Sequence, residues 1–200
     1  MRRGEKMKVI IKETKREYDG FFKVDRAILQ HEKFDGSMSK EIARLNFNRG
    51  DAVAVLLYNK SNKSVVLVKQ FRYPAYVENG PGWLIECVAG IKDNGEISVA
   101  GKEVLEETGY EVSELKFLTK FYPSPGGCSE RIFLYLACVE EKDKIKKEKY
   151  LGVGSEDILV MEVPVSKAFE MIKSGEICDG KTIIILFFLR DELASSKLLE

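Results

Sequence analysis

Histidine is almost absent from this chain of 200 residues: His31 stands alone. The four cysteines, Cys87, Cys128, Cys138 and Cys178, are scattered with no close pair. That argues against a zinc site and against a disulfide framework in a chain of this size. The cysteines read as reduced thiols filling core or surface, which points to the cytoplasm. A bias of charge is missing too. Lys and Arg total 32, Asp and Glu total 32, so nothing in the balance attracts nucleic acid or anionic lipid. The longest apolar runs, residues 132–139 and 183–189, are far short of the roughly 20 residues that span a bilayer. No basic start followed by an apolar core and small-residue cleavage site opens the chain, so no signal peptide is expected. Neither nucleic acid nor membrane is an expected partner.

What is present suits an ordinary globular protein. Apolar residues make up 44%, enough for a buried core. The length fits one domain with an appendage, or two small ones. Residues 8–14 and 21–30 are β-rich runs around the turn signal Asp19-Gly20, and residues 37–46 offer a third strand after Asp35-Gly36. Three strands make a thin core alone, so this sheet is expected to pack on the rest of the chain or on a second subunit. Residues 51–58 and 64–71 are apolar and β-branched and read as a hairpin of buried strands. Pro74 should stop the ladder after the second. Further strands are expected at 83–88, 115–122, 131–139 and 157–163, with a helix at 166–173. The charge-dense residues 140–149 read as an exposed, mobile loop. Residues 183–189 fit strand or helix.

The most informative stretch runs from residue 86 to 112. Its second half reads as a short helix ended by Gly109 in a left-handed turn. Glu103 and Glu107 are four apart and share a face, which Glu106 borders. Like charges at that spacing destabilise a helix in water. A divalent cation would reverse that sign, because hard cations take clustered carboxylate oxygens. A plain solvated acidic face is the alternative.

Lys102-Glu103-Val104-Leu105-Glu106-Glu107-Thr108-Gly109-Tyr110 resembles the end of the Nudix box, and Gly90, five residues and Glu96 resemble its beginning. Two departures stand out. Lys102 replaces the usual Arg, and only five residues separate Glu96 from Lys102 where the family has seven. Other pieces resemble the ADP-ribose pyrophosphatase and GDP-mannose hydrolase branch of the family. They are Asn48-Arg49-Gly50-Asp51, Lys69-Gln70-Phe71-Arg72, residues 85–90, Ser124-Pro125-Gly126-Gly127 with Glu130, Ser155-Glu156-Asp157-Ile158, and residues 170–177 with 179–182. The resemblance covers nearly the whole chain in order and is closest to the GDP-mannose hydrolases.

It implies an α/β fold: a Nudix α/β/α sandwich around a mixed sheet (residues 49–200), plus a small N-terminal antiparallel β domain (residues 1–48) that exchanges contacts across a homodimer. It also makes 181–193 a helix. The implied activity is hydrolysis of the diphosphate bond of a nucleotide sugar, dependent on magnesium, with manganese as the alternative ion. The candidates are GDP-mannose, giving GMP and mannose 1-phosphate, and ADP-ribose, giving AMP and ribose 5-phosphate. The matching metal ligands are Glu103, Glu107, the carbonyl of Ala89 and Glu156, with Glu106 completing the cluster.

Substrate contacts are expected from Arg72, which can pair bidentately with a diphosphate, and from Arg44, Arg49, Gly90, Glu130, Lys181 and Phe21 or its neighbour Phe22. Apart from Gly90, each has a bland alternative: a surface salt bridge for Arg72, a solvated strand edge for Arg44 and Arg49, a core aromatic for Phe21 or Phe22, a strand-start carboxylate for Glu130 and a helix-start lysine for Lys181. Related enzymes often carry an acid where this chain has Gly154. The base is therefore Glu156, Glu106 or a hydroxide on the metal, with Glu156 favoured. Against the enzyme stands a second reading, a Nudix-like sensor module that binds a nucleotide sugar without hydrolysing it.

Overall fold

The computed structural model describes residues 6–91, 97–152 and 157–195. The chain divides into two compact units: residues up to Gly50 together with Ser124–Glu130, and Asp51–Pro123 together with Arg131 onward.

The first unit is a three-stranded antiparallel sheet of β1 (Val9–Asp19), β2 (Lys23–His31) and β3 (Ile42–Asn48), with β2 central. The turn at Asp19-Gly20 forms where the sequence places it, and Gly20 N donates to Phe22 O at 3.1 Å. On its other edge β3 receives the loop after Ser124. Phe47 N donates to Gly127 O at 2.8 Å, and Ser129 N to Phe47 O at 3.2 Å. That loop, distant in sequence, belongs to this sheet.

The second unit contains, in chain order, β4 (Ala52–Asn59), β5 (Ser64–Phe71), α1 (Tyr73–Tyr76), β6 (Trp83–Glu86), β7 (Val88–Ile91), α2 (Ile97–Thr108), β8 (Lys116–Phe121), β9 (Ile132–Val139), β10 (Tyr150–Leu151), β11 (Ile158–Pro164), α3 (Val165–Ser174) and α4 (Gly180–Ala194). The sheet runs β10-β11-β5-β4-β9-β8, with β6 paired to β5 and β7 to β4. It is mixed, because β4 lies parallel to β9 and antiparallel to β5 and β7.

The unbroken apolar runs of β4 and β5 have a physical reason: both faces are covered. Ala54, Leu56, Tyr58, Val65 and Leu67 pack with Ala168 and Met171 of α3 and Ile185, Leu186 and Leu189 of α4. Val53, Val55, Leu57, Val66 and Val68 pack on the opposite side with Val104 of α2 and with Tyr110. This is the expected α/β/α sandwich. The run 183–189 is helical, inside α4, whose first turn is capped by Asp179 accepting from Thr182 N at 3.0 Å. Pairing along β5 stops at Phe71, and Pro74 sits in the first turn of α1, where its missing N–H costs nothing.

Residues 140–149 differ from the expected free loop. Ile145 N and Lys146 N both donate to Gly109 O, and Glu111 N donates to Asp143 O. Lys144 reaches Glu162 at 2.6 Å, where Tyr110 Oη also donates at 2.9 Å. The charge run conceals backbone groups that satisfy the end of α2. Burial works to raise the Glu162 carboxyl, but donors from Lys144, Tyr110 and Asn62 outweigh it and leave it below its ordinary value. A carboxyl lowered in this way stabilises the fold above its unfolded pKa, and the gain is lost as pH falls through the folded value.

Gly109 closes α2 at φ +76°, its N–H donating to Leu105 O, and a Cβ there would lie 2.6 Å from Lys146 O. Gly109→Ala should therefore destabilise the protein by at least about 1–3 kcal/mol, from left-handed strain and displacement of the docked loop. A urea midpoint equal to the wild type's would refute this.

Candidate active site

The glutamate helix meets β7 at one close approach. Gly90 lies against Glu103: a Cβ built on Gly90 would stand 2.8 Å from Glu103 Cγ and 3.0 Å from Cδ. Only a residue without a side chain lets this carboxylate lie along the Ala89-Gly90 backbone. One turn on, Glu107 shares the same face and is 6% exposed. Two carboxylates and a neighbouring main chain thus offer hard oxygen donors, the set that a divalent cation such as magnesium takes. The residues present fit such an ion: Glu103 and Glu107 supply charge, and Gly90 leaves the space. Glu106 borders this face and pairs with Lys102 at 3.6 Å across one helical turn. Among the described residues no three acidic, His or Cys side chains close a complete coordination shell. The further acidic calls, Glu96 and Glu156, lie outside the described residues, as does Gly154.

On β6, Glu86 gathers two of the expected substrate cations. Its Oε2 accepts from Arg72 Nε at 2.8 Å, and its Oε1 accepts from Lys181 Nζ at 2.5 Å. Lys181 also pairs with Asp179 at 3.0 Å. Asp179 accepts from the Thr182 hydroxyl, and that hydroxyl accepts from Cys87 N at 2.8 Å. Burial works to lower the Lys181 ammonium, but it is held above its ordinary value beside the carboxylates of Asp179 and Glu86. The Cys87 thiol is fully buried and pushed up to about 12, which makes it inert at neutral pH. Lys181 is internal, with its side chain 11% exposed, whereas that of Arg72 is 40% exposed. Glu86 was missed by sequence reasoning. Its signal there was its place in residues 85–90, one of the pieces that carry the family resemblance, with no role attached to it.

A second group assembles within the smaller unit. Arg49 pairs with Glu130 at 3.5 Å, and its guanidinium lies over the Phe22 ring. Phe22 packs on Phe47 and on Phe21, which is 82% exposed. Arg49, Glu130 and Phe21 therefore lie together, beside the Pro125-Gly126-Gly127 loop that joins β3. Arg44 lies on exposed β3, donating to Ala43 O. An open cleft of about 550 Å³ in the larger unit is lined by Lys69, Pro81, Trp83, Tyr150, Asp157 and Leu159. Its size is that of a small-ligand site.

The NUDIX domain model matches residues 48–173. The chain is 43% identical to a GDP-mannose pyrophosphatase of Shigella flexneri serotype 5b over 174 residues, 86% of this chain and 90% of that one. It is 42% identical to the GDP-mannose pyrophosphatase of Escherichia coli O1:K1 over the same shares. A solved structure described as an ADP compounds hydrolase superposes with a TM-score of 0.71 over 94% of this chain and 96% of that one. At 18% identity that likeness speaks for the fold alone.

The Gly90–Glu103 approach gives a direct test. Gly90→Ala should push Glu103 aside and lower kcat by about a hundredfold, the scale of an ångström-level misplacement. The far-ultraviolet circular dichroism should stay native. Unchanged turnover would remove the site from this position.

Proposed function

The chain belongs to the Nudix family, and on that premise we propose that it hydrolyses the diphosphate bond of a nucleotide sugar, GDP-mannose before ADP-ribose. The observation that carries this is the pair Glu103 and Glu107 on one helix face with Gly90 cleared for Glu103. The relatives named GDP-mannose pyrophosphatase support the order of substrates. The products would be GMP and mannose 1-phosphate.

Each residue has a task in this reading. Glu103 and Glu107, with the Ala89 carbonyl and Glu156, would hold a divalent cation, magnesium first and manganese as the alternative. When bound, such an ion neutralises phosphate charge and makes the attacking water more acidic. Arg72 pairs with the diphosphate through its terminal nitrogens, since among the described residues only its Nε is bonded. Gly90 keeps the backbone open beside Glu103. Glu156 takes the proton from water, with Glu106 as the reserve base, because Gly154 offers no side chain. Arg49, Glu130, Phe21 and Arg44 contact the nucleotide or sugar. The grouping of Arg49, Glu130 and Phe21 beside Phe22 supports a binding role for those three.

The protein acts as a homodimer through the small sheet. Val9, Ile11, Tyr18 and Leu45 expose apolar side chains that a second copy would cover. No helix among the described residues is long and apolar enough to cross a membrane. All four cysteines are free, which supports a reducing compartment.

Purified protein with magnesium, assayed against a panel of nucleotide sugars, should turn over GDP-mannose fastest. Glu103→Gln and Glu107→Gln should each lower kcat by about two orders of magnitude or more, with the fold retained. Glu156→Gln should lower kcat by roughly a hundredfold with little change in KM, the loss expected for a general base. Binding without turnover of any nucleotide sugar would establish a sensor instead. Light scattering should report a dimer at micromolar concentration; a fully active monomer would remove the cross-subunit role of Arg44.

A further inference from the structure

Glu86 has no part in the reaction as argued so far, yet it is the most enclosed carboxylate beside the proposed diphosphate contact. Its side chain is 4% exposed. A buried carboxylate is costly unless paired and fully hydrogen-bonded. Here each oxygen has its own cation: Oε2 takes Arg72 Nε and Oε1 takes Lys181 Nζ. Lys181 is fixed in turn by Asp179, which caps α4, and the same α4 start binds the Cys87 backbone through Thr182. The chain of bonds therefore runs from the rigid start of α4 to the outermost cation, Arg72.

The consequences differ for the two cations. Lys181 is enclosed between two carboxylates, which suits an internal strut better than a substrate contact. Arg72 is bonded along its Nε edge and sits half-exposed at the end of β5. A guanidinium presents a planar fork of five N–H donors, so fixing Nε also fixes the plane of the two terminal nitrogens. An unrestrained arginine would lose rotamer freedom on gripping a diphosphate, and this one has already lost it.

We propose that Glu86 is a positioning residue that sets the Arg72 fork for the substrate diphosphate, with Lys181 as the strut that neutralises its second oxygen. The role rests on the reading of Arg72 given under Proposed function. It requires that Glu86 act only through Arg72, and that requirement can be measured.

The experiment is a double-mutant cycle of Glu86→Gln and Arg72→Ala, with kcat and KM measured on GDP-mannose and magnesium. Glu86→Gln keeps the shape and removes the charge. It should raise KM about tenfold, equivalent to about 1.4 kcal/mol, and change kcat far less. In the Arg72→Ala background the same substitution should move KM by less than about twofold, because coupled residues are non-additive. KM effects that simply multiply would overturn the positioning role. A wild-type KM in Arg72→Ala alone would overturn the reading of Arg72, and the positioning role with it. A readout independent of activity, and of whether the variants fold, is exchange of arginine Nε–H protons by NMR on the wild-type protein. The Arg72 Nε–H should exchange at least about tenfold more slowly than that of Arg44, whose Nε is unbonded among the described residues. Equal rates would overturn the Glu86–Arg72 bond itself.

Discussion

The larger unit depends on the five residues from Glu86 to Gly90, which touch both helical layers in succession. Cys87 N is bound by Thr182 at the start of α4, while Gly90 lies against Glu103 of α2. Between them Val88 is buried in the α2-side core. Strand alternation explains how so short a segment serves two layers, since successive side chains point to opposite faces. β6 and β7 are separate strands because the first pairs with β5 and the second with β4. A displacement of this segment would move the α4 network and the carboxylate face together.

Burial on both faces makes that segment rigid. β4 and β5 supply side chains to both clusters, and their leucines are fully buried. Each such side chain contributes about 1.5–3 kcal/mol relative to exposure. The polar bonds of Glu86, Lys181 and Asp179 add geometry more than stability, because buried ion pairs recover little beyond their desolvation cost.

How much of this was legible depended on how local each signal was. The β4–β5 hairpin, the Asp19-Gly20 turn and the Gly109 helix end all rest on residues within a few positions, and each appears where the pattern places it. The carboxylate face of α2 was legible for the same reason, as a spacing of four. The docked stretch 140–149 was not. Its charged side chains look solvated, and what holds it is the backbone of Gly109 and Glu111, which pattern does not reveal. Glu86 escaped because its partners lie 14 and 95 positions away. The Arg49–Glu130 pair and the Phe47–Gly127 bond are likewise invisible until the chain is folded.

The departure at Lys102 has a clear physical content. It pairs with Glu106 at 3.6 Å, with side-chain exposures of 73% and 29%. A lysine is a flexible point charge, whereas an arginine would present a planar fork able to hold a carboxylate by two bonds. An exposed pair of this kind contributes only about 0–1 kcal/mol, and the lysine lies N-terminal to the glutamate, the weaker orientation on a helix. Lys102 therefore restrains Glu106 less than an arginine would. A turn of Glu106 toward the Glu103–Glu107 face would therefore cost little in lost pairing. The carboxylates thus divide by constraint. Glu103 is held by contact with Gly90, Glu107 by burial, and Glu106 is left adaptable at the border of the same face.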